Sequence, residues 1–147
     1  MTRLLKGKNL ADLIDERCSD SVVKWNETDV WIRPESLVPV CEFLKNSPEL
    51  DFSFLTSISA VDYIEYFELV YHLLSLRKNQ RTIIKTSCIT RDGPQIASLL
   101  PLWRGAELQE REIWDLMGIH FDGHPNMKRI MLWEGFDGHP LRKDFLR

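Results

Sequence analysis

Histidine and carboxylate side chains are concentrated near the end of this 147-residue sequence. Three of its four histidines, His120, His124 and His139, lie there among several Asp and Glu residues. These residue types bind zinc and iron in proteins. However, His124 and His139 each occupy a Gly-His-Pro tripeptide, which is typical of a turn, and a histidine in a turn commonly hydrogen-bonds to the backbone. A stand-alone His/carboxylate metal enzyme is therefore an alternative that we do not favour.

The other residue types with catalytic potential form no recognisable pattern. Cys18, Cys41 and Cys88 are far apart and include no C-x-x-C pair, which argues against a disulfide framework and against an iron–sulfur cluster carried by this chain alone. Buried free thiols in a reducing compartment are expected instead. The sequence also lacks a G-x-S-x-G motif and the glycine-rich patterns that bind phosphate.

The bulk composition excludes two classes of partner. The formal net charge is −3 and there is no basic block, so a nucleic-acid partner is not expected. No run approaches the roughly 18 apolar residues of a membrane span, and the N-terminus lacks a signal peptide. We therefore expect any contact with a membrane to be indirect, through a partner protein.

Glu110, Arg111 and Glu112 form a charged triplet for which two interpretations remain open. If the triplet lies on a solvated helix face, Arg111 and Asp115 can form an i, i+4 ion pair worth a few tenths of a kcal/mol. Alternatively, Arg111 or Glu112 is covered by the following segment, where a charged group needs a partner. The candidate partners in that segment are Lys128, Arg129, Arg142, Lys143 and Asp144.

The segment that follows the last predicted helix is here called the arm, and it begins at Gly118. Glycine and proline interrupt it too often for long regular structure, yet it is rich in aromatic, Met and Arg residues. Such residues are enriched in buried protein interfaces. The arm is therefore expected to cover another surface, which is either a partner or its own sheet. A quinone or lipid contact through Trp133 and Phe136 is a third, weaker alternative.

Hydrophobic periodicity and turn residues indicate the order of the regular elements. The predicted elements are a helix at 9–18, strands at 22–25 and 29–32, a helix after Ser36, strands at 54–62, 66–76 and 81–89, a short helix at 95–100 and a helix at 106–117 with Gly118 as its C-cap. Apart from the short helix, the order is α-β-β-α-β-β-β-α. It predicts a two-layer α+β fold, with one mixed sheet of about five strands and helices on one face. Residues 1–105 would form the core domain, and residues 106–147 the final helix and the arm.

The charged and turn residues of the last helix and the arm resemble one family in type and spacing. The similarity is to the 30 kDa subunit of respiratory complex I, the enzyme called NADH–quinone oxidoreductase in bacteria. Residues 54–63 also look like the first long strand of that family. The motif comprises Glu110, Arg111, Glu112, Asp115, His124, Pro125, Lys128, Arg129, His139, Pro140, Leu141, Arg142, Lys143, Asp144 and Phe145.

The resemblance implies a non-catalytic subunit in the peripheral arm of a proton-translocating complex, at the cytoplasmic face of the cell membrane. The motif residues would bind the 49 kDa-type subunit and neighbouring cluster-bearing subunits. FMN, the iron–sulfur clusters and quinone would belong to those partners, and this chain would hold no cofactor. The equivalent small subunit of a membrane-bound hydrogenase or of an F420H2 dehydrogenase is an alternative, and NADH is the default electron donor.

The two ends of the sequence carry further expectations from the resemblance. Members of the family usually continue with a proline after the position of Phe145, whereas Leu146 follows here. The contacts of a longer tail are therefore expected to be missing. The absence of a transit peptide favours a prokaryotic or organelle-encoded protein.

Overall fold

The computed structural model describes residues 1–146, and Arg147, the last residue of the predicted arm, lies outside them. The helices are α1 (Gly7–Arg17), α2 (Leu37–Asn46) and α3 (Ala106–Met117), and a 3-10 turn (Pro34–Ser36) precedes α2. The strands are β1 (Arg3–Leu4), β2 (Val22–Trp25), β3 (Asp29–Ile32), β4 (Phe54–Asp62), β5 (Phe67–Ser75), β6 (Gln80–Cys88), β7 (Gln95–Ala97) and β8 (His120–Asp122).

The main sheet is mixed, as predicted. Its strand order is β2-β3-β6-β5-β4, and β1 pairs in parallel with the start of β6, which gives six strands within residues 1–146. β3 and β6 run parallel, whereas the β2–β3, β6–β5 and β5–β4 pairs are antiparallel. The α+β fold class is confirmed, and the short strand β1 is an addition to the prediction.

Alternation along the strands separates a buried face of the sheet from an open one. The register aligns Val30, Ile84, Tyr71 and Ile58 across four strands, and all four are buried in a core that also contains apolar residues of the three helices found in residues 1–146. The adjacent row is partly or fully exposed on the opposite face, because successive side chains of a strand point in opposite directions. The two-layer arrangement follows from this pattern.

The long elements agree with the prediction to within about two residues. The β2–β3 hairpin, β4 and α3 have the predicted limits, and Gly118 forms the C-cap of α3 in the left-handed region at φ 76°. Ser36 holds the N-cap position of α2, but its side chain makes no capping hydrogen bond. α2 follows directly from the 3-10 turn, and the backbone of Ser36 is already helical.

The prediction of a short helix at 95–100 is wrong. Residues 95–97 form β7, which pairs in parallel with β8 in a small second sheet. Strand β8 belongs to the arm, so the arm begins with regular structure that periodicity did not indicate. Ile96 and Phe121 are paired across this sheet and both are buried in the core. The pairing therefore joins the start of the arm to the loop before α3.

Candidate functional site

The arm folds back along α3 immediately after Gly118. The N–H of Gly118 donates to the carbonyl of Trp114 (2.8 Å), which ends the helix, and the positive φ then reverses the chain. A Cβ atom at Gly118 would lie 2.7 Å from Cδ2 of His139. A later turn of the arm thus packs directly against the helix end, which requires glycine there for two separate reasons.

Asp115 on α3 holds the middle of the arm. Its side chain is completely buried, and Oδ2 accepts the N–H groups of Ile130, Met131 and Leu132 at 3.0, 2.7 and 2.9 Å. Nη1 of Arg129 donates to Oδ1 at 2.7 Å. Burial opposes ionisation of Asp115, but the guanidinium and the three N–H groups outweigh it and hold the pKa of this carboxyl below its ordinary value. Asp115 is therefore a buried carboxylate that orders three consecutive arm residues.

Arg129 extends this network to the next turn of the arm. Its Nη2 donates to the carbonyls of Phe136 (2.8 Å) and Gly138 (3.0 Å), and Nη1 also donates to the carbonyl of Asp115 (3.1 Å). The guanidinium lies over the rings of Trp114 and Phe136, at 5.7 and 5.6 Å from their centroids. One arginine thus fixes two turns of the arm to α3.

Arg111 resolves the question left open for the charged triplet. Its Nε donates to the carbonyl of Lys128 (3.1 Å) and its Nη2 to that of Arg129 (3.0 Å), so it is partly covered by the arm. The i, i+4 pair with Asp115 does not form, because Asp115 points inward to Arg129. Glu112 is exposed. The second interpretation therefore holds for Arg111, whose partners are backbone carbonyls.

Two motif histidines make turn contacts. Nδ1 of His124 accepts the N–H of Asn126 (3.0 Å), which leaves Nε2 to donate to the carbonyl of Glu107 (3.1 Å). Nδ1 of His139 lies 2.9 Å from the carbonyl of Asp115 and is therefore its protonated nitrogen. Within residues 1–146, no three His, Cys, Asp or Glu side chains are close enough to hold a metal ion. Both histidines thus make the backbone contacts expected of a histidine in a turn.

Glu110 lies on the other side of α3, inside the core. Its Oε2 accepts the hydroxyl of Ser98 (2.6 Å) and its Oε1 the N–H of Leu99 (2.8 Å), and the residue is completely buried. Burial raises the pKa of Glu110 to about 7, although both hydrogen bonds oppose the shift. Glu110 thus connects α3 to the loop after β7, and neither it nor Asp115 exposes a side chain to a partner.

The end of the arm is fastened to the main sheet by a cluster of alternating charges. Asp62, at the end of β4, accepts two hydrogen bonds from Arg91 (2.7 and 3.0 Å) and the N–H of Lys143 (2.9 Å). Asp144 is paired with both Arg91 (3.1 Å) and Arg142 (2.9 Å). The hydrogen bonds from Arg91, despite partial burial, hold the pKa of Asp62 well below its ordinary value.

Sequence reasoning missed Asp62, Arg91 and Ser98 as parts of this site. Asp62 and Arg91 also bind the backbone of Ile64, in the turn between β4 and β5. Ile64 has a left-handed φ of 73°; its N–H donates to Asp62, and its carbonyl accepts from Arg91. No local pattern marks these residues, because their partners are distant in sequence. The available signal was an acidic residue at the end of a predicted strand, Asp62, and a basic residue in the Arg91-Asp92-Gly93 turn, since a charge that becomes buried needs a partner.

The outer surface of the arm combines apolar and charged residues. Of the predicted partner-binding residues, five are exposed there: Pro125, Lys128, Leu141, Lys143 and Asp144. Glu112 is exposed on α3. Among the exposed large apolar residues of the arm are Ile130, Met131, Trp133, Leu141 and Leu146. The Asp115–Arg129 pair thus holds the arm against α3, while the exposed residues of the arm include both apolar and charged side chains. The described residues contain no helix long and apolar enough to cross a bilayer.

Comparison with known proteins is consistent with this arrangement of fold and arm. The family model described as the 30 kDa subunit of respiratory-chain NADH dehydrogenase matches residues 30–147, which is most of the chain, and the chain therefore belongs to this family.

Curated relatives come from bacteria and fungi. The chain is 46% identical over 117 residues to a subunit of NADH-quinone oxidoreductase from Rhizobium meliloti (strain 1021), a match that covers 78% of this chain and 63% of the relative. It is 43% identical over 123 residues to the mitochondrial 30.4 kDa subunit of NADH-ubiquinone oxidoreductase from Neurospora crassa, covering 82% and 43% of the two chains. The chain thus spans less than two thirds of the length of these relatives.

Two solved structures share the fold. The trypsin-resistant fragment of Nqo5 superposes with a TM-score of 0.61 at 26% identity, covering 80% of this chain and 98% of the fragment. A chain of the membrane-bound sulfane sulfur reductase, an archaeal respiratory membrane complex, superposes with a TM-score of 0.71 at 26% identity, covering 94% and 84%.

Proposed function

We propose that this chain is a non-catalytic subunit in the peripheral arm of an NADH–quinone oxidoreductase, bound at the cytoplasmic face of the membrane through its partners. It would support electron transfer from NADH to quinone by docking on the 49 kDa-type subunit and on cluster-bearing subunits. The observation that carries the proposal is an arm fixed to its own core by Asp115 and Arg129, with apolar side chains left exposed outside. Membership of the 30 kDa family supports the choice of complex.

The thiols support the assignment of the clusters to partners. Cys41 and Cys88 are buried, and burial raises the pKa of Cys88 to about 11 and that of Cys41 further. Iron–sulfur clusters usually take four cysteine ligands, whereas this sequence has three, which are far apart and include no C-x-x-C pair. We propose that FMN, iron–sulfur clusters and quinone are bound elsewhere in the complex.

A related respiratory complex is the second candidate. A chain of the membrane-bound sulfane sulfur reductase, which is a different respiratory membrane complex, shares this fold with a TM-score of 0.71. A small subunit of this kind could therefore serve a complex with another electron donor, such as a membrane-bound hydrogenase or an F420H2 dehydrogenase. Assaying the purified complex with NADH, F420H2 and hydrogen in turn distinguishes these possibilities.

Removing the end of the arm tests the docking role. A tagged chain lacking residues 135–147 should fail to recover the 49 kDa-type subunit from cells, as measured by quantitative mass spectrometry. Its far-ultraviolet circular dichroism should still show a folded core. Recovery at the full-length level would contradict the proposal.

A charge reversal complements the truncation if the shortened chain does not fold. The side chain of Lys143 is exposed, so Lys143→Glu should leave the core intact and lower recovery of the 49 kDa-type subunit several-fold. Lys78, exposed in the β5–β6 turn, provides the matched control Lys78→Glu. If both variants recover the same amount of the 49 kDa-type subunit, Lys143 does not contact the partner.

A further inference from the structure

Trp133 is the most exposed aromatic side chain of the arm, at 67% of its full accessible area. Met131, two residues earlier, is 63% exposed. The backbone beneath them is not free to turn these side chains inward, because the N–H groups of Met131 and Leu132 are bound to the buried carboxylate of Asp115. The fold thus holds large apolar groups in water, which is characteristic of an interaction surface.

The indole of Trp133 is supported from behind by other rings. It meets Phe136 edge-on, with centroids 5.0 Å apart, and Phe136 stacks on Phe145 at 6.1 Å. Phe136 also carries the guanidinium of Arg129 at 5.6 Å. This aromatic row restricts Trp133 before any partner binds. A pre-ordered Trp loses little side-chain entropy on binding, and Trp is enriched among residues that dominate binding energies.

The charges around Trp133 indicate what a partner must offer. Glu134 lies within the Trp133–Phe136 turn and Asp137 follows it; both are exposed, and neither forms an ion pair within the described part of the chain. The two arginines of this region are already engaged, since Arg129 binds Asp115 and Arg142 binds Asp144. Within residues 129–142, which carry the exposed indole, the charges without an ion-pair partner are therefore negative, and their complement on a partner is positive.

We propose that Trp133 is the anchor of the arm and inserts into an apolar pocket, rimmed by Lys or Arg side chains, on the partner subunit. This inference rests on the proposed docking function and identifies the residue that makes the main contact with the partner. The buried charges of Asp115 and Arg129 position the anchor, and the aromatic row keeps it extended. Lipid and a second copy of this chain are the competing occupants of the same surface.

Point variants of the full chain test the anchor. Trp133→Ala should lower the amount of 49 kDa-type subunit recovered with the tagged chain about tenfold, which corresponds to about 1.4 kcal/mol. Trp133→Phe should restore part of the loss. Leu76→Ala, at a residue equally exposed (68%) in the β5–β6 turn, is the matched control and should recover the wild-type amount. The double reversal Glu134→Lys with Asp137→Lys should lower recovery about fivefold, because it opposes the basic rim.

The outcomes separate the anchor from the docking role itself. If removal of residues 135–147 abolishes recovery but Trp133→Ala does not reduce it, the arm docks and the anchor assignment is wrong. If neither change matters, the docking role fails as well. The two other occupants are checked with the isolated chain, by flotation with phosphatidylglycerol vesicles and by sedimentation velocity. Vesicle binding or self-association that depends on Trp133, with recovery of the partner unchanged, would overturn the proposal.

Discussion

Asp115 accepts hydrogen bonds from four arm residues that lie 14 to 17 positions later in the sequence. The sequence identifies Asp115 as part of a charged motif, but helical spacing predicts an ion pair with Arg111. Intrahelical spacing could not show that Asp115 faces inward, since the donors come from a segment without periodic structure. Glu110 is one of the predicted partner-binding residues, and its side chain is fully buried in the core. Charge type was predictable from the sequence, but burial of these charges depends on tertiary packing.

The buried carboxyl of Glu110 should make stability depend on pH. Its pKa is raised from 4.5 to about 7, so between these values the folded chain keeps a proton that the unfolded chain releases. The free energy of unfolding should therefore fall as pH rises through this window, by on the order of 3 kcal/mol in total. Glu110→Gln, which stays neutral and can still hydrogen-bond to Ser98, should remove this component.

Urea denaturation at several pH values between about 4.5 and 7.5 measures the effect. Glu112→Gln, on an exposed position of the same helix, is the control and should retain the wild-type slope. Asp62 and Asp115 have lowered pKa values, so their contributions to the free energy of unfolding are lost only at lower pH, outside this window. Parallel curves for wild type and Glu110→Gln would show that Glu110 does not titrate in this range.

The elements of the core were largely predictable because their signals are local. Alternation in β5 and the apolar face of α2 require only the sequence of each segment. The small sheet of β7 and β8 was not predictable in this way, since each strand has three residues and the partner lies about 25 positions away. Residues 95–100 instead contribute Ser98 and Leu99 as hydrogen-bond donors to Glu110. A short segment with such partners takes its conformation from tertiary contacts.

The junction between α3 and the arm gives a test at the level of the element. Gly118→Ala should destabilise the protein by about 3 kcal/mol, because it places a Cβ both at positive φ and against the ring of His139. The ring cannot move away without losing the contact between its Nδ1 and the carbonyl of Asp115. Gly123→Ala is the control: its φ is 88° but a Cβ there meets nothing within 4 Å, so only about 1 kcal/mol is expected. Thermal unfolding of both variants measures the difference, and equal losses would mean that the contact with His139 is unimportant.

Within residues 1–146, the arm contacts the core at three places: β7, α3 and the end of β4. The sequence predicted an arm that lies on some surface, and the surface covered within this chain is its own. The division at residue 105 stays a prediction, but the contacts across it include the buried hydrogen bonds of Glu110 to Ser98 and Leu99. A partner would therefore bind a surface that is already formed in the free chain. Sequence patterns alone do not distinguish such an arm from one that becomes ordered only on binding.

Hydrogen exchange on the isolated chain tests whether the arm is already formed. The amides of residues 130–132 should exchange slowly, since all three are donors to the buried carboxylate of Asp115. Asp115→Asn removes the charge that pairs with Arg129 and should cost about 3 kcal/mol, which speeds exchange of these amides roughly a hundredfold. Asp137→Asn, on an exposed arm residue, should leave the rates unchanged. Fast exchange of residues 130–132 in the wild type would show that the arm is not ordered without a partner.

The bond from the N–H of Lys143 to Asp62 joins positions 81 residues apart. During translation, β4 and α3 emerge from the ribosome before the residues that cover them. Asp62 and Asp115 must then remain hydrated or find temporary partners until the arm has been synthesised. A ribosome-bound chain halted before residue 128 would thus present two carboxylates and an uncovered helix face, which is the kind of surface that chaperones bind. The native contacts of Asp62 and Asp115 can therefore form only after the chain through Lys143 has been synthesised.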